Sequence, residues 1–386
     1  MNISRLLFFF LIVACFSCEE RKEVSFHKGR LEELVLGDYS IEQDSVTEYF
    51  SNFRTWEYNG EEFLAYHSNS PKYKGGSAVT LLDFTSKKIV SRWDIPVEGP
   101  QAMKSYPSVR IPLSWDTLLA LNSKGDLAFY DTLGNKVIER QTGADYPSSK
   151  EEYIQFFSHK GLAFVDNGKI YAGLNPFNPY QESAPIAFSK WMVSIGIQTG
   201  KQEQSVFRMP SGYGDFLDDL AAYQVYGAYD RLRKELWFGF PYSDSLVLLR
   251  DLNETHRIRP ATDLSFNYTA SELRDYGNFK VWLQPKEASM HLGLMHDPYR
   301  DCFLLISKIK ESGDGDTPFD RVKHYVLRVY NSDWSPLGEY SFEYEGREEF
   351  SEWFVNRSGL YINSASQELE DEYMFTFIDL SRFEGS

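Results

Sequence analysis

Apolar residues along this chain come in short alternating runs, and few windows keep the 3.6-residue rhythm of an amphipathic helix. Runs over residues 53–57, 63–67, 78–83 and 88–95 are separated by polar turn residues and predict four strands. The same foursome recurs over 109–113, 117–121, 126–131 and 136–141, then over 162–165, 169–174, 192–197 and 202–208. It returns over 223–229, 235–240, 246–251 and 255–259, and again over 291–296, 302–307, 325–330 and 338–342. A sixth group has three members, at 352–355, 360–363 and 373–379. Helix-like spacing is confined to 211–223 and 270–276, and both stretches are short.

The groups share a grammar. Their first two strands are joined by polar turns such as Tyr58-Asn59-Gly60, Asp166-Asn167-Gly168 and Asp297-Pro298-Tyr299. Asn, Asp and Gly supply the positive φ angles or side-chain bonds that such turns require. Repeated four-stranded units predict an all-β fold, a β-propeller with six blades. The sixth group lacks an outermost strand, while residues 31–36 (Leu-Glu-Glu-Leu-Val-Leu) form a spare one before the first group. Pairing 31–36 antiparallel with 373–379 would remove two open edges at once. The propeller domain is therefore expected over 31–386; a seven-bladed ring or a sandwich, with 31–36 as an amphipathic leader, is the alternative.

The first residues break this pattern. A short basic start ending at Arg5 is followed by an apolar run and then by Ala14-Cys15-Phe16-Ser17-Cys18-Glu19-Glu20. The run is shorter than the roughly 20 residues that span a bilayer. It resembles a bacterial lipoprotein signal peptide over 1–17, with Cys18 as the acylated residue and Cys15 as the alternative. Residues 18–30 then read as a lipidated tether, rich in charge and too short for a core element. Acidic residues directly after Cys18 resemble the surface-export signal of Bacteroidetes-type lipoproteins, which implies an outer-membrane or cell-surface location. An acyl anchor holds a soluble domain on a membrane, and the ectodomain is expected to be monomeric.

Beyond that leader Cys302 is the remaining cysteine, set in the apolar run Cys302-Phe303-Leu304-Leu305-Ile306. A buried inert thiol is the reading there. The formal charge is −16, without a long basic block, which argues against nucleic-acid partners. Aromatic residues make up 16% of the chain, in keeping with strands.

Glu98-Gly99-Pro100, Phe240-Pro241-Tyr242-Ser243-Asp244-Ser245 and His296-Asp297-Pro298-Tyr299-Arg300, in that order behind the leader, give the mature chain a resemblance to an uncharacterised family. That family consists of Bacteroidetes-type lipoproteins with a six-bladed, propeller-like domain. The resemblance implies the fold and the anchor. It implies no catalytic residue.

The residues themselves carry no nucleophile elbow, P-loop, dinucleotide fingerprint or zinc-protease helix. No cofactor is expected. His291 and His296 are five apart, on opposite faces of a regular strand, and so do not chelate one ion. Gly313-Asp314-Gly315-Asp316 with Asp320 looks like a calcium loop but lacks its bidentate glutamate. Asp218-Asp219, Glu348-Glu349 and Glu370-Asp371-Glu372 read as solvated faces; Trp115, Tyr180, Trp334 and Trp353 are aromatics of the kind that stack on sugars, with core or inter-blade packing the reading for most of them. Arg110 and His291 fall in expected innermost strands, which line the channel of a propeller; Tyr106 and Trp353 lie near them. These four are the candidate pocket residues. The function expected is a lipid-anchored binding or interaction module for an unidentified small molecule, glycan or protein. A carbohydrate-active enzyme and a structural envelope component are the alternatives.

Overall fold

The computed structural model describes residues 26–42, 49–105, 107–122, 125–140, 155–157, 162–175, 191–216, 219–275, 280–313, 321–344, 352–364 and 371–384. Around a central axis stand six antiparallel sheets, an all-β six-bladed propeller. From the axis outward the first blade is Phe50–Tyr58, Glu61–Asn69, Ser77–Asp83 and Ile89–Ile95. The second is Pro107–Pro112, Leu118–Asn122, Leu127–Tyr130 and Lys136–Arg140. The third is Ala163–Asp166, Lys169–Asn175, Met192–Gly196 and Gln202–Gln204, with Gln155–Phe157 added against Lys169–Asn175. The fourth is Tyr226–Asp230, Glu235–Gly239, Leu246–Arg250 and Asn253–Ile258. The fifth is Met290–Asp297, Cys302–Ser312, Val322–Asn331 and Pro336–Tyr344.

The sixth blade has three strands of its own, Phe354–Val355, Gly359–Asn363 and Glu372–Asp379. Val35–Glu42 supplies the fourth, antiparallel to Glu372–Asp379 with Val35 opposite Ile378 and Glu42 opposite Glu372. The ring is closed by the N-terminal segment, as the strand count required. The strand starts later than the sequence suggested. Leu31–Leu34 is a 3-10 turn that buries Leu31 and Leu34, and pairing begins at Val35. The end of the expected tether is also structured: His27–Arg30 lies parallel to Pro336–Tyr344 at the outer edge of the fifth blade. Cys15, Cys18 and the tether up to residue 25 lie outside the described residues.

Blade geometry explains the hydropathy. Middle strands have a neighbouring blade on each face, so Leu118–Asn122 and Glu235–Gly239 are buried at every position. Outermost strands face water, and neither Lys136–Arg140 nor Asn253–Ile258 has a fully buried residue. Much of the core is seams between blades. Trp56, Phe63, Val79 and Trp93 of the first blade meet Leu118, Ala120, Ala128 and Tyr130 of the second. Tyr226, Trp237 and Leu248 meet Leu294, Phe303, Leu305 and Trp334 across the fourth and fifth. Phe50, Phe53 and Tyr66 meet Phe354, Tyr361 and Phe375 where the ring closes. Trp334 belongs to such a seam, and Trp115 packs against another.

Local sequence sets the turns. Asn59 and Gly60 take φ of 53° and 81°, the left-handed pair a two-residue hairpin between Tyr58 and Glu61 requires. Two expectations fail. Among the described residues of 211–223 there are two short 3-10 turns, Tyr213–Phe216 and Leu220–Tyr223. Glu272–Asp275 is a strand paired with Lys280–Leu283, where a helix over 270–276 was expected. Among the described residues no helix is long and apolar enough to cross a membrane. Cys302 is free and buried, and burial pushes its thiol well up.

Candidate functional site

The innermost strands enclose a cavity of about 350 Å³ on the propeller axis. Five of the six blades line it: Arg54 and Thr55 from the first, Phe164 from the third, Tyr229 from the fourth, Met295 and His296 from the fifth, Trp353 and Phe354 beside or in the sixth. The mouth lies at the turns between first and second strands, where Arg231 and Glu57 are exposed. Thr55 Oγ1 donates to the Val355 carbonyl and ties the first blade to the sixth at the wall.

Arg54 reaches this wall through an irregularity. The ladder shifts register between Ser51 and Arg54, and Asn52 sits at φ 55°. Such a bulge re-aims the side chains that follow it, and Asn tolerates the left-handed region better than most residues. Burial lowers the Arg54 guanidinium to about 10, with the charges of Arg231 and Arg110 acting in the same direction. It stays protonated at neutral pH. The walls beside it are aromatic. Phe164 and Tyr229 stack with centroids 3.9 Å apart and planes 8° apart. Trp353 is 6% exposed, its Nε1 donating to Asn363 Oδ1 at 2.8 Å. The Arg357 guanidinium lies 5.6 Å from the Tyr299 ring centroid, and burial raises the Tyr299 hydroxyl, with Glu62 adding to the shift.

A second cluster borders the mouth. Arg233 forks onto Asp301 with two contacts of 2.6 Å and reaches Asp230 Oδ2 at 2.8 Å. His296 Nε2 stands 3.8 Å from Asp230 and 3.7 Å from Asp301, without a hydrogen-bond partner. Asp230, His296 and Asp301 have the donor set of a metal site. The guanidinium already takes both carboxylates, so the cluster is built as a clamp between the fourth and fifth blades. Burial lowers the His296 imidazole against the pull of three aspartates, leaving it neutral at neutral pH.

Of the four pocket candidates, Trp353 lines the cavity. Arg110 does not line it; it is buried in the second blade and acts on Arg54 through its charge. Tyr106 lies outside the described residues, as do Tyr180 and the calcium-like stretch 314–320. His291 does not line the cavity. It is 1% exposed in the seam between the fourth and fifth blades, where its Nε2 meets the Tyr268 hydroxyl at 2.8 Å. Tyr268 in turn donates to Asp244. On the other side Nδ1 meets Ser307 Oγ at 2.7 Å and Arg328 Nη2 at 3.3 Å. Arg328 only donates, so Nδ1 accepts and the neutral ring carries its proton on Nε2. Ser307, His291 and Asp244 are the residue types of a hydrolase triad, yet Ser307 is 0% exposed and Tyr268 stands between ring and carboxylate. The group is a seam lock.

The two histidines also share a side of their strand, against expectation. A register shift between His291 and Gly293 inserts the extra residue that restores parity, so both face the fourth blade. Asp219, read as part of a solvated pair, is buried and accepts from Tyr242 Oη at 2.5 Å, Ser271 N at 2.7 Å and Ala221 N at 2.9 Å. Sequence reasoning missed Arg54, Arg231 and His296. Arg54 carried the same signal as Arg110, a cation within an expected innermost strand.

Burial, helped by Arg328 and opposed by Asp244, lowers the His291 imidazole from 6.5 to about 4. Asp244 is held down to about 2, first by His291 and then by Tyr268, against its own desolvation. Below pH 6.5 the unfolded chain therefore takes up a proton that the folded chain refuses until about pH 4. Stability falls across that window by about 3 kcal/mol in total and levels below it. Asp244 contributes separately, its stabilisation fading as pH drops from about 4 toward 2. Urea unfolding at steps between pH 7 and 4 reads the slope, which flattens in His291→Asn. Equal slopes in both proteins would remove His291 as the source.

With this geometry in hand, the fold is similar to a crystal structure of a DUF4221 family member from Bacteroides vulgatus. The TM-score is 0.67 at 18% identity, over 89% of this chain and 97% of that one. It is also similar to a luciferin-regenerating enzyme, with TM-score 0.47 and 10% identity over 89% and 96% of the two chains. BamB from Moraxella catarrhalis aligns with TM-score 0.35 and 14% identity over 82% and 70%. At these identities the likeness concerns the fold. No protein-family profile and no curated protein matches the sequence.

Proposed function

We infer that this chain is a lipid-anchored binding module whose axial channel receives a small ligand. The cavity carries the reading: about 350 Å³, opening at one end of the axis, walled by aromatic rings with a few polar groups among them. That composition is typical of small-molecule sites. The leader that precedes Cys18, and the emergence of the described chain at the outer rim of the fifth blade, support an anchored ectodomain. An envelope or cell-surface location rests on the same leader. The fold shared with the Bacteroides structure agrees with the resemblance read in the sequence motifs.

A glycosidase needs two carboxyls held across the substrate. Among the described residues that line the cavity, Glu57 is the one carboxylate. Binding is therefore the better-supported class.

A fragment screen observed by NMR tests this. Hits on the ectodomain are expected to bind at least about tenfold more weakly to Met295→Trp, which fills the cavity with a bulkier side chain. Val355→Phe is the second plug, should the first misfold. Hits that bind both folded plugs as tightly as the parent would place the site elsewhere.

A further inference from the structure

The clamp between the fourth and fifth blades accounts for Arg233 and leaves His296 unexplained. The His296 side chain is 4% exposed, and its Nε2 has no hydrogen-bond partner among the described residues. A buried polar atom of that kind calls for a partner the chain itself does not supply. Nε2 stands 3.8 Å from Asp230 Oδ1 and 3.7 Å from Asp301 Oδ1, and the three atoms lie within 4.8 Å of one another. Both separations are too long for hydrogen bonds. They suit three ligands around one ion. Zinc binds imidazole nitrogen and carboxylate oxygen at about 2.0–2.2 Å, so its tetrahedral ligand atoms stand roughly 3.4 Å apart. A contraction of a few tenths of an ångström completes the set.

Arg233 contests only one of these three atoms, Asp301 Oδ1, at 2.6 Å. Its other carboxylate contacts fall on the far oxygens, Asp230 Oδ2 at 2.8 Å and Asp301 Oδ2 at 2.6 Å. From there it orients both carboxylates, as outer partners of metal ligands do. Its side chain is 36% exposed, so it is free to yield the near oxygen. Asp230 Oδ1 is fixed by the backbone N–H groups of Leu232 at 2.8 Å and Arg233 at 3.1 Å. Asp297 is neutralised by Arg300, so Asp230 and Asp301 against Arg233 leave one negative charge in excess. Burial keeps the His296 ring neutral, which leaves Nε2 a lone pair when the proton sits on Nδ1.

We propose that Asp230, His296 and Asp301 bind one divalent transition-metal ion at the mouth of the channel. Asp230 ends the first strand of the fourth blade, His296 lies near the end of the first strand of the fifth, and Asp301 closes the turn after it. The ion therefore ties the two blades together. One imidazole with two carboxylates favours zinc or manganese over magnesium and calcium, which take oxygen ligands. Three protein ligands leave a further position for water. The site stands whether or not the channel takes an organic ligand.

The protein from Phe26 onward holds every strand of the six blades and omits Cys15 and Cys18, whose thiols would also take zinc. Free of any histidine tag and stripped with chelator, it is titrated with zinc chloride by calorimetry, and its melting is followed. The expected result is one equivalent of zinc bound at micromolar Kd or tighter. The melting temperature rises by about 3 °C or more at a roughly hundredfold excess over Kd. Magnesium at the same concentration gives no rise. Asp301→Asn weakens zinc binding at least about tenfold. It keeps the fold, because φ at this position is 52°, which asparagine tolerates, and the side chain is 40% exposed. His296→Gln has the same effect on zinc, and Asp301→Asn decides if that variant misfolds. Zinc bound equally by the parent and by the folded variants would place the ion elsewhere and overturn the proposal. So would a failure to bind at millimolar zinc, or magnesium bound as tightly as zinc.

Discussion

An ectodomain that begins after Glu42 is expected to lose its cooperative fold, while one that begins at Phe26 keeps it. Residues 27–42 fasten two blades in succession. His27–Arg30 adds to the fifth blade in parallel, the turn Leu31–Leu34 buries two leucines, and Val35–Glu42 completes the sixth. Leu31, Leu34 and Ile41 are 5%, 3% and 0% exposed. Burial of each such side chain contributes about 1.5–3 kcal/mol. Their combined loss is on the scale of a whole domain's net stability, roughly 5–15 kcal/mol. Truncation also bares the edge of Glu372–Asp379 and uncovers Phe375 and Ile378, which are 0% and 1% exposed. An open edge of that kind templates association. A chain starting at Val35 keeps the closure but loses the fifth-blade strand and both leucines, so its loss is intermediate. Scanning calorimetry and light scattering rank the three. A monomeric protein lacking residues up to 42, melting within a few degrees of the parent, would refute this account of the closure.

The blade order was legible because alternation and turn chemistry act locally. Each group of strands marks its own ends with Asn, Asp or Gly, and a missing outer strand at one terminus matched a surplus at the other. The first turn of the N-terminal segment was less legible. Leucines three apart at Leu31 and Leu34 suit one 3-10 turn as well as a strand, and packing against two blades decided it. His27–Arg30 has no apolar signal at all, since it is held by backbone pairing with Gly338–Ser341. Glu272–Asp275 has all four residues exposed, and its helical propensity was overridden by the partner strand Lys280–Leu283. Site residues depended on features that leave no trace in hydropathy. The bulge beside Asn52 presents Arg54 to the channel, and the bulge after His291 turns that ring into a seam. A residue's place on an innermost strand was readable; the face it presents was not.

The motif His296-Asp297-Pro298-Tyr299-Arg300 predicts the other large effect. Arg300→Met should destabilise the propeller by about 3–5 kcal/mol, the usual result of stripping one partner from a buried ion pair. Asp297 and Arg300 side chains are 0% and 2% exposed and meet at 2.8 Å. Arg300 also donates to the carbonyls of Asn356 at 3.3 Å and Arg357 at 2.9 Å, so it spans the inner turns of the fifth and sixth blades. Asp297 Oδ1 meanwhile accepts from the backbone of Tyr299 at 2.9 Å, shaping the turn itself. Removing the guanidinium leaves one carboxylate and two carbonyls without it. Arg300→Lys should recover only part of the loss, because an ammonium cannot fork to all three acceptors. In the double variant Asp297→Asn/Arg300→Met the two effects should add to less than their sum, since the charge stranded by the single change is gone. Pro298 and Tyr299 line the cavity, so Arg300→Met should also weaken channel ligands. Urea unfolding of the three variants gives the energies, and a loss below about 1 kcal/mol for Arg300→Met would mean that the pair contributes no more than an exposed one.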